Sequence, residues 1–567
     1  MATPALKIST SRAKQRALER LSPFELRNDL IALASEHARA AAATMLNAGR
    51  GNPDWIATRP REAFFLLGTF ALAEAKRQWD EEGLVGGMPQ KAGSAQRLAA
   101  FLDAHAAADG AAFLRDVMAY GTRHCGFDAD AWAWELTDGI IGDHYPEPGR
   151  MLVHVERVVH DYLVRELCDG RPPAGKFDLF AVEGGTAAMC YIFDSLVQNG
   201  LLRRGDTIAL LVPTFPPYLE IPELDRYAFR VVRVEASAMT ADGKRHTWRY
   251  PKQELARLAD PKVRMAFIVN PSNPPSVALG PDELAQIVGI VRRRNPGLML
   301  VTDDVYGTFV PHFRSLMAEV PRNTICVYSF SKNFGCTGWR LGVVAIHADN
   351  VFDRKIAALP ANRKKALRKR YETLSLHPER LKFIDRMVAD SRSVALNHTA
   401  GLSLPQQVMM ALFALSHLVD SGDAYKNLTM AIVRRRRDQL YKGLGLPPPP
   451  EDPLRAWYYV ELDFMVWARN QYGQEFCDYM RKNYEPVDFL FRLAEESGVV
   501  LMNGGGFGGP QWSLRVSLAN LMPDDYAKIG RYLRDAAFAY VEAWKAGTTI
   551  ESRAGRVRRA RARPTRK

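Results

Sequence analysis

The stretch YSFSKNFGCTGWRLG, residues 328–342, sets Lys332 among small and hydroxyl residues, with Ser329 and Ser331 before it and Arg340 eight positions after it. A buried lysine close to a second cation has a lowered pKa and becomes a nucleophilic amine competent for Schiff-base chemistry. Ser329 and Arg340 are then suited to a phosphate group, and a matching cradle lies upstream in EGGTAAM, residues 183–189. There Gly184 and Gly185 let the backbone approach a ligand, Thr186 adds a hydroxyl and an N–H, and a helix N-terminus attracts an anion. By itself that segment reads equally as a tight βα turn.

Other chemistry-bearing residues fall at similar places. In VTDDVYG, Asp303 ends a strand with Tyr306 three residues on. The acid serves as a helix cap or pairs with a protonated ring nitrogen, and the phenol meets a ring substituent. NPSNPPS holds Asn273 in a proline-stiffened loop, where a fixed amide can bond a phenolate-type oxygen. PTFPPY offers Phe215, either a core residue or an aromatic that stacks on a planar cofactor.

These residues need a scaffold, and the chain supplies one. From about residue 177, short apolar runs alternate with helical stretches, in FDLFAVEGG, DTIALLVPTF, RMAFIVNP, GLMLVTDDVY and TICVYSFSK. Such alternation predicts a mostly parallel α/β sheet covered on both faces, with ligands beyond the carboxyl ends of the strands. Residues 1–45 and 56–137 have helical spacing, and between them LNAGRGNPDW is too irregular for helix or strand. Residues 350–390 form a charged helical segment, which reads as a solvated amphipathic insertion. From 405 to 545, helices flank shorter strands, as expected of a smaller α/β domain.

The bulk numbers fit. At 567 residues, 47% hydrophobic and 25% charged, the chain has globular composition and can bury a large core. The start MATPALKISTSRAKQR lacks the apolar centre of a signal peptide, and no stretch is long enough to cross a bilayer, so a soluble cytoplasmic protein is expected. Its six cysteines show no metal or disulfide spacing, so reduced, mostly buried thiols and no metal are expected. The net charge of +13 is concentrated, because eight basic residues crowd the last fifteen positions. That tail reads as a solvated extension rather than a nucleic-acid surface.

Taken together, the glycine turn, the stacking aromatic, the Asn-Pro loop, the Asp-x-x-Tyr strand end and Ser-x-x-Lys with its arginine resemble the fold type I pyridoxal-phosphate enzymes, the aspartate aminotransferase superfamily. The resemblance implies that Lys332 carries pyridoxal 5'-phosphate covalently. Asp303 then pairs with the pyridine nitrogen, Tyr306 and Asn273 contact the 3-hydroxyl oxygen, and Phe215 stacks on the ring. Gly184, Gly185, Thr186, Ser329, Ser331 and Arg340 hold the phosphate. Tyr145, in GDHYPEPGRM, matches the family tyrosine that reaches the neighbouring subunit's phosphate, which implies a dimer. Arg515, in WSLRVSLA, matches the arginine that binds the substrate α-carboxylate. Gly51 matches a substrate-loop backbone contact, and Arg50, unusual between two glycines, suits a second carboxylate. Arg392, five residues before Asn397, matches an arginine that crosses the dimer to read a distal carboxylate.

The extra length, the helical segments at 56–137 and 350–390, and Asn273-Pro274-Pro275-Ser276 in place of Asn-Pro-Thr-Gly resemble more narrowly the aspartate 4-decarboxylases, which also transaminate aspartate. Expected organisation is a helical arm and substrate loop over 1–175, a large cofactor domain over 176–400, a small domain over 401–545 and a disordered basic tail over 546–567. The expected activity is conversion of L-aspartate to L-alanine and CO2, with aspartate/2-oxoglutarate transamination, in a homodimer or a larger assembly of dimers. The alternatives are a plain dicarboxylate aminotransferase and, more remotely, a transcription regulator built on the same fold.

Overall fold

The computed structural model describes residues 12–40, 44–145, 149–392 and 401–550. Two helices, α1 (Arg12–Leu18) and α2 (Pro23–Ala40), lead into the strand β1 (Leu46–Asn47). Next come α3 (Thr58–Gln78) and a hairpin of β2 (Asp80–Glu81) and β3 (Val85–Gly86). A helical layer follows: α4 (Ser94–Ala104), α5 (Ala111–Ala119), α6 (Ala129–Ile141) and α7 (Val153–Leu167).

The central sheet is built from β4 (Phe177–Val182), β5 (Thr207–Val212), β6 (Arg230–Glu235), β7 (Val263–Val269), β8 (Met299–Asp303), β9 (Thr324–Ser329) and β10 (Gly342–His347). Their order is β4-β10-β9-β8-β7-β5-β6, and only β10 runs antiparallel to its neighbours. Strands β4, β8, β9 and β10 are buried at every position, as near-continuous apolar runs covered on both faces must be. The apolar runs of the sequence account for β4, β5, β7, β8 and β9. They miss β6, an edge strand whose arginines reach solvent, and β10, which follows directly on the lysine motif.

Helix α8 (Gly185–Gln198) begins at the end of β4 and packs on the sheet. The charged insertion folds as helices Val351–Ala357, Ala361–Tyr371 and Phe383–Arg392. It is pinned to α8 by Asp390, which accepts from Ser195 Oγ at 2.7 Å and Asn199 Nδ2 at 3.1 Å and pairs with Arg370 at 2.8 Å.

The smaller domain has β11 (Tyr459–Asp463), β12 (Val499–Val500), β13 (Met502–Asn503) and β14 (Ser513–Ser517). β11, β14 and β13 form an antiparallel sheet, and β12 pairs in parallel with β1. The loop read as irregular therefore opens with a short strand at Leu46–Asn47, because its backbone is completed from far along the chain. Buried Leu26, Leu30 and Leu33 of α2 share a core with Leu490 and Leu493 of the small domain, whereas Ala63, Leu67 and Phe70 of α3 pack in the core of the large sheet. Fully burying each such leucine is worth about 1.5–3 kcal/mol. Residues 546–550 stay against the small domain, where Thr548 O accepts from Tyr479 Oη at 2.5 Å and Ile550 N donates to Tyr484 Oη at 3.0 Å. The basic run from 551 onward lies outside the described residues. Of the six cysteines, four are buried and none is paired.

Candidate active site

The site forms where β4, β8 and β9 end, and loops from distant parts of the chain close over them. Lys332 follows β9, and its Nζ donates to Gly51 O at 2.9 Å. Burial lowers the pKa of this amine; Arg515 and Arg340 add to the effect, while Tyr459 and Asp303 oppose it. The loop that presents it is fastened on three sides. Asn333 O accepts from Trp55 Nε1 at 2.9 Å and Tyr425 Oη at 2.8 Å, and Asn333 Nδ2 donates to His417 Nε2 at 2.9 Å. His417 Nδ1 in turn faces Glu166 Oε1 at 3.1 Å, and Lys426 Nζ faces Glu166 Oε2 at 2.8 Å. Despite burial, that carboxyl is held down at about 2 by His417 and Lys426. Arg61 of α3 completes the brace by donating to Phe334 O at 3.2 Å and Gly335 O at 2.8 Å.

The glycine turn and the arginine meet. Gly184 has φ +89°, and a Cβ there would lie 2.5 Å from Arg340 Nη2. Arg340 donates to Glu183 O at 3.1 Å and Thr337 O at 3.0 Å. Gly185 begins α8, with Thr186 exposed in its first turn. Ser329, whose Cβ lies 3.9 Å from the Cβ position of Gly185, donates to Ser331 Oγ at 3.0 Å. A helix N-terminus, two hydroxyls and a guanidinium thus border one small space, which suits an anion.

Asp303 is buried at the end of β8, its Oδ2 accepting from Tyr218 Oη at 2.5 Å and its Oδ1 from Val305 N at 3.3 Å. Burial raises its pKa, and the Tyr218 hydroxyl, the Val305 N–H and Lys332 pull it back. Phe215 meets Tyr218 edge-on at 5.9 Å and Phe24 of α2 at 5.8 Å. Tyr306 is buried and donates to Tyr459 Oη at 3.0 Å.

Arg515, on β14, is buried. It donates to Asn273 Oδ1 at 3.3 Å and Gly49 O at 2.9 Å, and its guanidinium lies over the Tyr459 ring at 4.3 Å. Its Nε has no partner among the described residues. Gly51 sits at the centre, because a Cβ there would lie 2.9 Å from Tyr459 Oη and 3.2 Å from Lys332 Nζ. Tyr458 Oη donates to the same Gly51 carbonyl at 2.9 Å. Arg50 is exposed, yet near enough to Arg27 for its charge to act there.

Two expected residues lie apart from this cluster. Tyr145 is 67% exposed, three residues past the glycine that ends α6. Arg392 donates to Gly149 O at 2.9 Å on the wall of a surface cavity of about 500 Å³ that also includes Arg150 and Asp385. Asn397 lies outside the described residues.

Sequence reasoning missed Tyr218, Tyr458, Tyr459 and Arg27. The Tyr pair opens a strand and Tyr218 lies in the PPY segment, so aromatic hydroxyls near predicted strand ends were the available signal. Arg27 carried no signal, since it is one of several charges on α2. Its Cδ lies 3.6 Å from the Cβ position of Gly49, and its buried Nε has no partner among the described residues. Burial lowers its pKa, with Arg515 and Arg50 adding to the effect.

The family model for aminotransferase class I and II matches residues 181–531. A bifunctional aspartate aminotransferase and L-aspartate beta-decarboxylase of a Pseudomonas species is 48% identical over 532 residues, which cover 94% of this chain and 98% of that protein. A kynurenine–oxoglutarate transaminase of Dictyostelium discoideum is 27% identical over 38% of this chain and 50% of its own length. The solved aspartate aminotransferase of Thermus thermophilus with maleate superposes with a TM-score of 0.52 at 18% identity, covering 93% of this chain and 99% of its own, a likeness of fold.

Proposed function

The chain belongs to the aminotransferase class I and II family, and from that premise we propose that it decarboxylates L-aspartate to L-alanine and CO2 and also transaminates aspartate with 2-oxoglutarate. The observation that carries this reading is the convergence of Lys332, Asp303 and Arg515 around Gly49–Gly51, with Arg27 beside Arg515. Similarity along nearly the whole chain to a bifunctional enzyme supports decarboxylation over transamination alone.

The family depends on pyridoxal 5'-phosphate, and the residues fit it. The left-handed Gly184 leaves room where a side chain would strike Arg340, a buried carboxylate faces the same region as a buried amine, and Arg515 keeps a buried N–H without a partner. Lys332 would hold the cofactor covalently, with Asp303 at its ring nitrogen, Tyr306 and Asn273 at its phenolic oxygen and Phe215 against its face. Gly184, Gly185, Thr186, Ser329, Ser331 and Arg340 would take the phosphate. When bound, the cofactor supplies an electron sink for negative charge that develops on substrate carbon.

The chain's own residues supply the rest. Arg515, steadied by Asn273, binds the α-carboxylate through paired N–H groups. Lys332, with its lowered pKa, takes the proton from Cα and returns it. Arg27 and Arg50 give the distal carboxylate a cationic surrounding without a short fixed pair, so it is oriented and still able to leave as CO2. One proton is taken up at Cβ for each CO2 released, which balances aspartate to alanine. Trp55, packed beside Tyr458 at 6.0 Å, limits water at the site and so favours CO2 loss over hydrolysis to the oxo acid. Tyr145 and Arg392 serve the neighbouring subunit of a homodimer. The protein works in the cytoplasm; no described helix is long and apolar enough to cross a membrane.

The test is incubation of the loaded enzyme with L-aspartate and no oxo-acid acceptor. Alanine and CO2 should accumulate over many turnovers; one turnover that ends at oxaloacetate would identify a plain aminotransferase.

A further inference from the structure

Arg515 stands on β14, the middle strand of the small sheet, between Met502 of β13 and Glu461 of β11, each directly opposite it in register. Residues paired in this way share one face of a sheet, with Cβ atoms about 4.5–5.5 Å apart. All three are buried. The outer nitrogens of the guanidinium are taken, Nη1 by Asn273 Oδ1 at 3.3 Å and Nη2 by Gly49 O at 2.9 Å and Met502 Sδ at 2.7 Å. Its Nε has no partner among the described residues, and neither has Glu461 Oε2. A buried donor and a buried acceptor thus stand unpaired on neighbouring strands.

The other carboxyl oxygen shows where the proton sits. Ser513 Oγ is 2.7 Å from both Glu461 Oε1 and Pro510 O. A hydroxyl has one proton to give and a carbonyl can only accept, so both contacts are met when Ser513 donates to Pro510 and Glu461 donates to Ser513. Glu461 is then a neutral acid. Burial favours the same form, pushing its pKa up to about 8, with Asp463 adding to the rise and the Ser513 hydroxyl and Arg515 opposing it. Asp463 is itself bonded to His246 Nε2 at 2.9 Å. The 504–509 turn lies against the carboxyl, since a Cβ at Gly509 would be 2.4 Å from Oε1, and it brings no charge. Glu461, Asp463 and His246 line a surface cavity of about 660 Å³, which gives the proton a route to solvent. Lys244, Arg245 and Arg455 share that cavity with Asp242, Glu451 and Asp452, three charges of each sign, and so add no net charge to it.

We propose that Glu461 is a positioning residue for Arg515: as a neutral acid it leaves the guanidinium aimed at the substrate α-carboxylate, and as a carboxylate it draws the unpaired Nε–H toward β11 and turns the guanidinium away. The proposal rests on the reading of Arg515 as the residue that binds that carboxylate. Because both side chains stand on one face of the sheet, the pairing needs a side-chain rotation and no backbone shift. The acceptors that now aim the guanidinium, Asn273 Oδ1 and Gly49 O, are neutral. A hydrogen bond to an ionised carboxylate is about twice as strong as one to a neutral oxygen, so an ionised Glu461 outcompetes them.

Succinate, which has both carboxylates of aspartate and no amine to react, is the probe, and its dissociation constant for the holoenzyme is measured by calorimetry from pH 6.5 to 9.5. With only the neutral-acid form binding, a group that titrates at about 8 makes the constant rise roughly ten-fold between pH 7 and pH 9. Glu461→Gln, which cannot ionise, should lose that rise and bind succinate roughly ten-fold more tightly than the parent at pH 9. Titration of any other group is common to both proteins and cancels in their ratio. A variant with the same profile as the parent overturns the proposal, and so does a parent whose constant is flat across pH 8. Where Glu461→Gln does not fold, Glu461→Met, of similar length and equally unable to ionise, gives the same test. Arg515→Lys separates this proposal from the reading beneath it. If that variant binds succinate as the parent does, Arg515 holds no carboxylate and both fall; if it binds weakly while Glu461→Gln follows the parent, the positioning role alone falls.

Discussion

Lys332 is one of 76 lysines and arginines, and what separates it from the others is its surroundings. If the proposed function holds, Lys332→Ala should abolish the visible absorbance of the bound cofactor and lower alanine formation by at least about 10³-fold, because in that proposal one side chain is both the anchor and the base. Retained absorbance with turnover would remove it from both roles. Arg27 makes a sharper test of specificity. A charge-assisted hydrogen bond is worth about 1.5–3 kcal/mol, so Arg27→Leu should raise KM for aspartate by roughly 10–100-fold. The same variant should leave the inhibition constant of the product alanine, which has no distal carboxylate, within about two-fold. Equal changes in the two constants would show that Arg27 reads no distal carboxylate.

At the level of elements, the lysine loop is held from outside its own strand. The buried Glu166–His417–Asn333 chain joins α7 and helix Leu404–Leu418 to the residue after Lys332. Removing one partner of a buried charged set leaves the others uncompensated, so Glu166→Gln should cost about 3 kcal/mol, measured as a lower denaturant midpoint. Gly335 is a second fixed point, with φ +58° and Trp55 O only 1.8 Å from where a Cβ would stand. Gly335→Ala should therefore push the substrate loop off the lysine loop and lower kcat/KM, which steady-state kinetics at several aspartate concentrations would show. Much of this was open to inspection beforehand. The runs ending at Val182, Asp303 and Ser329 announced their strands, since parallel strands buried on both faces must be apolar throughout. β6 was hidden because an edge strand tolerates the arginines of RVVRVE.

For the molecule as a whole, buried carboxyls set the response to pH. Burial pushes Asp304 up to about 7 and Glu461 up to about 8, so the folded protein holds protons that the unfolded chain releases above its ordinary carboxyl range. The stability these groups contribute is complete in acid and is lost as pH rises through 7 to 8. Unfolding free energy should thus fall from pH 5.5 to 8.5, and Glu461→Gln, which cannot ionise, should flatten part of the fall. An unchanged slope in urea titrations at the two pH values would exclude Glu461 as a source. Glu461 sits opposite Arg515 across the small sheet, so the same titration reaches the candidate site.

The sequence alone determined the strands β4, β5, β7, β8 and β9 and the dependence on pyridoxal 5'-phosphate. Those motifs are local: a glycine turn, a strand-end acid and a lysine between serines need only a few consecutive residues to state their chemistry. The tertiary structure alone decided that Gly51 lies against Lys332 across 281 positions, that Tyr459 completes the pocket from the small domain, and that Arg27 of α2 comes beside Arg515. Those contacts arise when α2 buries its leucines against the small domain and β1 pairs with β12, and long-range packing of this kind leaves no local pattern in a single chain.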